Sequence, residues 1–275
     1  MKKGTLVSVV LLLAAVSLGY AQEPGPGGLH GSVDVTYLSK YIWRGFDVYG
    51  DKSAIQPSVN LDLFGSGFGV SAMGHRANSS GYEMTGERWD YTLFYANSLS
   101  AGEKCALNYR LGYVYYNYPD MSSHTTGSID LQELQAIFSW PNILPVKGLV
   151  PTYVLVKLWP GNSGTMVGAM SPSGGTASGF AHIFMLDYGV PVQGLGSPEQ
   201  VINLHSEVVY NDGVHPGGGN ADQDWSNAVF GISTTFDLGG NFSLTPGVYH
   251  QVTMDESVND DKDETWASVG ATYKF

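Results

Sequence analysis

The longest alternating run in the chain is SVDVTYLSKYIWRG, residues 32–45. Val33, Val35, Tyr37, Ser39, Tyr41 and Trp43 fall on one parity, and Ser32, Asp34, Thr36, Leu38, Lys40, Ile42 and Arg44 on the other. A period of two predicts a strand with one apolar, aromatic face and one charged face. At roughly 3.3 Å per residue the run exceeds about 40 Å, enough to cross a membrane at a tilt. Soluble sandwiches seldom use strands this long.

Eleven more segments follow. In 54–64, Ile55, Pro57, Val59, Leu61 and Leu63 oppose Gln56, Ser58, Asn60 and Asp62. A Gly-Ser-Gly turn leads into 68–75, and then Trp89, Tyr91, Leu93 and Tyr95 alternate with Asp90, Thr92 and Ala96. Cys105, Leu107, Tyr109, Leu111, Tyr113 and Tyr115 oppose Asn108, Arg110 and Gly112. In 129–140, Leu134, Ala136, Phe138 and Trp140 are expected outward, with Glu133 and Gln135 inward. Segment 149–159 is apolar on both parities. Val150, Val154, Val156 and Leu158 are assigned to lipid, since the other parity would place Lys157 there at a cost of about 2–4 kcal/mol near the midplane. The same argument turns Asp187 of 180–190 inward. Ile202, Leu204, Val208 and Tyr210 oppose Asn203, His205 and Glu207, and Ala228, Phe230, Ile232 and Phe236 oppose Asn227, Ser233 and Asp237. The last two, containing Phe242–Val252 and Ala267–Phe275 on their apolar parities, complete twelve strands.

An even count suits a single-chain bacterial barrel, and the connections agree with it. Shorter turns (65–67, 99–103, 141–148, 191–198, 239–241) interleave with longer loops (45–53, 77–87, 117–128, 160–179, 211–224, 255–264). Short turns are expected on the periplasmic side and long loops outside. Tyr41, Trp43, Trp89, Tyr113 and Tyr115 are expected in an aromatic girdle at the loop end, Tyr273 and Phe275 in one at the turn end. The predicted fold is all-β: a 12-stranded antiparallel transmembrane β-barrel over residues 22–275. A soluble barrel would need those aromatics inside.

The leader fits this picture. Met1-Lys2-Lys3, an apolar run over 6–18 and Gly19-Tyr20-Ala21 predict a signal peptide, residues 1–21, cleaved after Ala21. Its removal takes the net charge from −12 to −14. Charged residues make up 14% of the chain and aromatics 12%, against about 25% charge in ordinary soluble domains. The acidity speaks against nucleic acid as a partner. The expected location is the cell outer membrane, in contact with its lipid and lipopolysaccharide. Cys105, the single cysteine, is expected as a small apolar wall residue. The chain ends on Phe275 directly after a strand, which resembles the signal that outer-membrane barrels show to the barrel-insertion machinery.

Residues 37–45 (YLSKYIWRG), followed by 54–58 (AIQPS) and 65–68 (GSGF), resemble the TorF family of outer-membrane porins. The close match covers about residues 32–74; the long 160–179 loop departs from the pattern. The resemblance implies an outer-membrane barrel with pore function and no named solute.

Candidate chemistry lies in the inward-facing charges Lys40, Arg44, Asp90, Arg110, Glu133, Lys157, Asp187 and Glu207. One reading is a mixed-charge constriction acting on small polar or ionic solutes. The other is a lumen closed by charges that pair with one another. Arg44 and Glu133 are the first pair to test. The 160–179 loop, with Met166, Val167 and Met170 in a Gly/Ser frame, is expected either to fold inward, to contact lipopolysaccharide or to lie free. Six acids in 255–264 lack the spacing of a calcium loop and read as a solvated face. No cofactor or metal is expected. A barrel hydrolase would need His-x-Ser near the outer rim, whereas His30-Gly31-Ser32 lies at the other end; Asp212 and His215 are a weak protease pair. The chain is therefore read as no enzyme, with a structural scaffold barrel as the alternative to a channel.

Overall fold

The computed structural model describes residues 28–81, 85–120, 130–161, 178–193, 200–215, 221 and 223–275. The expected leader, the apolar centre of the 160–179 loop and Asp222 lie outside them. The described strands are β1 (His30–Leu38), β2 (Ile42–Trp43), β3 (Phe46–Asp47), β4 (Ala54–Asp62), β5 (Phe68–Ala77), β6 (Glu87–Leu99), β7 (Leu107–Asn117) and β8 (Leu131–Ser139). They continue with β9 (Leu149–Pro160), β10 (Gly179–Val192), β11 (Gln200–Asp212), β12 (Gln223–Thr234), β13 (Phe236–Gly239), β14 (Phe242–Thr253) and β15 (Glu264–Lys274).

Twelve of these make the wall, with β13 prolonging β12 and the short β2–β3 pair lying apart. Neighbours are antiparallel throughout. Pairing of β1 with both β4 and β15, and of β12 with β14, closes the ring. Gly31 and Phe275 exchange backbone hydrogen bonds of 3.0 Å, so the C-terminal residue still belongs to the seam. Closure removes every open sheet edge, the requirement for backbone in hydrocarbon.

The alternation fixes which side chains face out. Val33, Leu93, Leu134, Phe230 and Val248 are exposed, as a lipid-facing surface demands, while their strand neighbours are less so. The expected facing fails in one strand. In β9 the buried parity is Val150, Thr152, Val154, Val156 and Leu158, so Lys157 points outward. It is registered between Leu134 and Phe180, both exposed. Its Nζ lies 4.3 Å from the Phe180 ring centroid, near the loop end of the strand, where a lysine stem can cover apolar surface while its head reaches the rim. The assignment failed because it assumed a polar lumen.

Two further corrections follow from where strands end. Leu38 closes β1, so residues 39–45 are not wall. Cys105 sits exposed in the turn before β7, not on a lipid-facing strand.

Candidate functional site

Residues 42–47 form a miniature hairpin. Ile42 pairs with Asp47 and Trp43 with Phe46, leaving Arg44 and Gly45 as a two-residue turn with φ of 53° and 90°. Two successive positive φ values are what a tight type I′-like hairpin turn needs. A Cβ at residue 45 would stand 2.8 Å from both Asn227 Oδ1 and Val258 Cγ1, so glycine is required twice over. The Tyr41 carbonyl accepts from Val48 N (2.9 Å), extending the pairing by one rung.

This hairpin folds into the barrel. Tyr41, Ile42, Trp43 and Tyr49 are each at most 3% exposed. Trp43, Tyr41 and Tyr49 pack with Val114, Ile137, Val154, Val156, Ile183 and Val209 of the β7–β11 wall. Ile42 packs with Val229, Tyr249 and Trp266 on the opposite side. Tyr41 and Trp43 are thus interior residues and not girdle aromatics. The apolar inner face of β9 exists because an apolar segment lies against it.

Arg44, at the hairpin tip, forms an ion pair with Glu133 of β8, both almost fully buried, and Gln135 donates to the other Glu133 oxygen. On the second side Gln251 Nε2 donates to the Gly45 carbonyl (2.8 Å). Arg88 of β6, which sequence reasoning passed over, holds Asp90 through Nε (2.7 Å) and Nη2 (2.8 Å) and donates to the Tyr41 hydroxyl (2.7 Å). His75 Nε2 meets the same carboxylate at 2.9 Å and its Nδ1 meets Gln56 at 2.7 Å. The Trp43 ring lies between two guanidinium groups, 4.8 Å from Arg88 and 5.0 Å from Arg44. The common parity of Arg88 and Asp90 was the available signal.

Lys40 lies off the wall. It bonds Asp51 and, at 2.6 Å, Glu264, clamping the segment that follows the hairpin to the start of β15. These hydrogen bonds, Asp51 first, raise the lysine above its ordinary range and lower Asp51. Burial raises Asp47. Asp47, Asp51 and Glu264 converge within 4.8 Å, with the Lys40 ammonium already bound to two of them.

Toward the turn end the interior changes. Ser32, Asp34, Thr36, Asn60, Asn203, Ser233, Thr245 and Thr272 all point inward and all remain partly accessible. Asp34 accepts from Thr272 (2.6 Å) and Ser32 (2.8 Å). Asp187 and Glu207 face inward as expected and share a histidine: His205 Nδ1 lies 2.7 Å from Asp187, and its Nε2 lies 3.6 Å from Glu207. Arg110 also faces inward, stacked 4.0 Å over the Phe94 ring. Of the eight expected residues, the structure therefore joins Arg44 to Glu133 and Asp187 to Glu207 through His205, pairs Asp90 with Arg88, leaves Arg110 without a carboxylate among the described residues, and moves Lys40 and Lys157 off the inner wall.

Residues 22–147, under half of the chain, match a family described as "Bacterial protein of unknown function (Gcw_chp)". The TorF name carried by the 37–45 motif is not confirmed by that match. No curated protein sequence matches the chain. Among solved structures, the chain is similar to the KdgM porin (TM-score 0.52, 11% identity, 89% of this chain and 99% of that one). It is also similar to the NanC porin (0.52, 10%, 89% and 100%) and to the COG4313 outer membrane channel from Pseudomonas putida F1 (0.50, 12%, 90% and 96%). At these identities the likeness establishes the outer-membrane barrel fold.

Proposed function

We propose that the chain is an outer-membrane channel for passive diffusion of small polar or ionic solutes, narrowed on its loop side by the inward hairpin. The observation that carries this reading is the turn half of the lumen, polar, charged and accessible. A barrel that served only as an anchor would fill that space with side chains, as the smallest barrels do. Loops face the exterior and turns the periplasm, following the usual asymmetry. Phe275 at the seam is the contact for the insertion machinery, and the outward apolar face meets lipid and lipopolysaccharide. Selection rests on lumen geometry and charge, with Arg110, Asp187 and Glu207 as the charged lining of the turn half and the buried Arg44–Glu133 and Arg88–Asp90 pairs holding the constriction, and needs no catalytic group. The porin-like fold of the structural relatives supports the same class.

The packed loop half favours one second reading, a barrel that does not conduct. Planar-bilayer recording of the refolded chain without residues 1–21 separates the two. Discrete steps, with conductance rising linearly with salt, are expected; silence from protein shown to be folded and inserted makes it a scaffold.

A further inference from the structure

Three interior arginines differ in what they touch. Arg44 is paired with Glu133 and Arg88 with Asp90, whereas Arg110 makes no hydrogen bond to the protein among the described residues. It is only 7% exposed, yet it faces the accessible part of the lumen. Stacking on Phe94 covers one face of the guanidinium and leaves its N–H edge free. Five donors fixed in a plane with no acceptor among the described residues match a carboxylate, which such a fork binds through two parallel hydrogen bonds.

The register brings an opposite charge to the same level. Arg110 is paired with Ile137, Ile137 with Val154, and Val154 with Ile183. Along this rung the distance to the loop end of the strand shortens: Arg110 is seven residues from Asn117, Ile137 and Val154 are each six from the loop ends of β8 and β9, and Ile183 is four from Gly179. With strands tilted about 40° and spaced about 4.8 Å, three steps raise the rung by about 9 Å. That equals about four residues of axial rise along a tilted strand. The residue of β10 level with Arg110 is therefore Asp187, with His205 beside it on β11. Asp187, His205 and Glu207 carry two carboxylates against one imidazole, so this side of the chamber stays anionic even when the histidine is protonated. A simple anion at Arg110 would face that negative wall, and a simple cation at Asp187 would face Arg110.

We propose that the turn half of the lumen is a binding chamber for small zwitterions, the carboxylate held by Arg110 and the cationic nitrogen by the Asp187–His205–Glu207 group. The inference names the solute class for the channel reading above and rests on it for transport, but binding itself does not require conduction.

The test uses ligand-observed NMR on the refolded chain without residues 1–21 in micelles, with 4-aminobutyrate and 6-aminohexanoate against butyrate and n-butylammonium. At least one amino acid is expected to bind about tenfold or more tightly than either singly charged analogue. Arg110→Gln is expected to weaken it by about tenfold or more, as loss of a charged hydrogen-bonded pair does. Asp187→Asn is expected to erase the preference over butyrate. Heat-modifiable gel mobility establishes that each variant is folded, and Arg110→Lys, which keeps the charge but loses the fork, serves if Arg110→Gln is not. Equal binding of butyrate by the wild type, no binding of either amino acid, or unchanged binding by a folded Arg110 variant overturns the proposal. Binding with a silent bilayer would leave the chamber standing and sink the channel; conductance without binding would do the reverse.

Discussion

The two halves of the barrel interior use the same wall strands for opposite ends. In the loop half, inward side chains such as Leu38, Val114, Leu158 and Tyr116 are at most 2% exposed and converge on the hairpin. In the turn half, the same strands contribute Asp34, Asn108 and His205, which stay partly accessible. The difference originates in residues 39–53, which leave the wall after Leu38 and return to it at Ala54. Those two residues are register partners, so the excursion adds nothing to the barrel itself. It fills one end of the lumen and leaves the other open. Burying Arg44 and Glu133 together is tolerable only as a pair, because an uncompensated charge in a packed interior is far more costly than the pair is stabilising.

The contrast can be broken most forcefully at that pair. Glu133→Ala leaves the Arg44 cation buried, with its Nε and Nη1 already lacking partners among the described residues, and is expected to destabilise by about 3–5 kcal/mol. Urea unfolding followed by tryptophan fluorescence measures it. Gly45→Ala comes next: a positive φ and two 2.8 Å approaches are expected to cost about 1–3 kcal/mol. The same assay on Asp34→Asn, in the turn half, is expected to move stability by about 1 kcal/mol or less, since its partners are hydroxyl and amide groups that can donate to either side chain. A loss there as large as at Glu133 would mean that the two halves are equally packed.

The smallest effect concerns pH. Asp51 is lowered by Lys40, so its contribution is present above the ordinary aspartate range and is lost as pH falls through its folded value. Lys40, being raised, keeps its contribution until strongly alkaline pH. Asp47, raised by burial, has the opposite sign from Asp51 and favours the folded state more at low pH. Acidification from pH 7 toward 3 should therefore modestly lower the protection factors of residues 48–53, taken against the intrinsic exchange rate at each pH, and leave those of β7–β11 unchanged. A uniform fall in protection across the wall would contradict a clamp confined to Lys40 and Asp51.

The wall was legible because alternation is a local property: facing follows from parity, as in β7, where Arg110 and Leu111 take the sides their neighbours assign. The hairpin was not, because Tyr41, Ile42 and Trp43 continue the same period of two past the end of β1. Only the turn geometry at Arg44-Gly45 reverses the chain, and an Arg-Gly turn is less conspicuous than Asn-Gly or Asp-Gly. The facing of β9 depends on the hairpin: without an apolar segment in the lumen, the parity of Val150–Leu158 and the side of Lys157 read the other way. The place of Cys105 depends instead on where β7 begins. The Arg44–Glu133 pair could be chosen from charge and parity, but its burial against Trp43 depends on contacts between residues 89 apart in sequence.

In the proposed channel, residues 39–53 limit passage at the loop end. Since Leu38 and Ala54 already pair, a variant in which a four-residue Gly-Ser turn joins them should close the same barrel without the hairpin. The decisive measurement is single-channel conductance of this variant beside the wild type, at one salt concentration and voltage. Small steps are expected from the wild type and steps several-fold larger from the shortened chain. Equal steps from both, each shown to be folded and inserted, would mean that the hairpin does not limit passage.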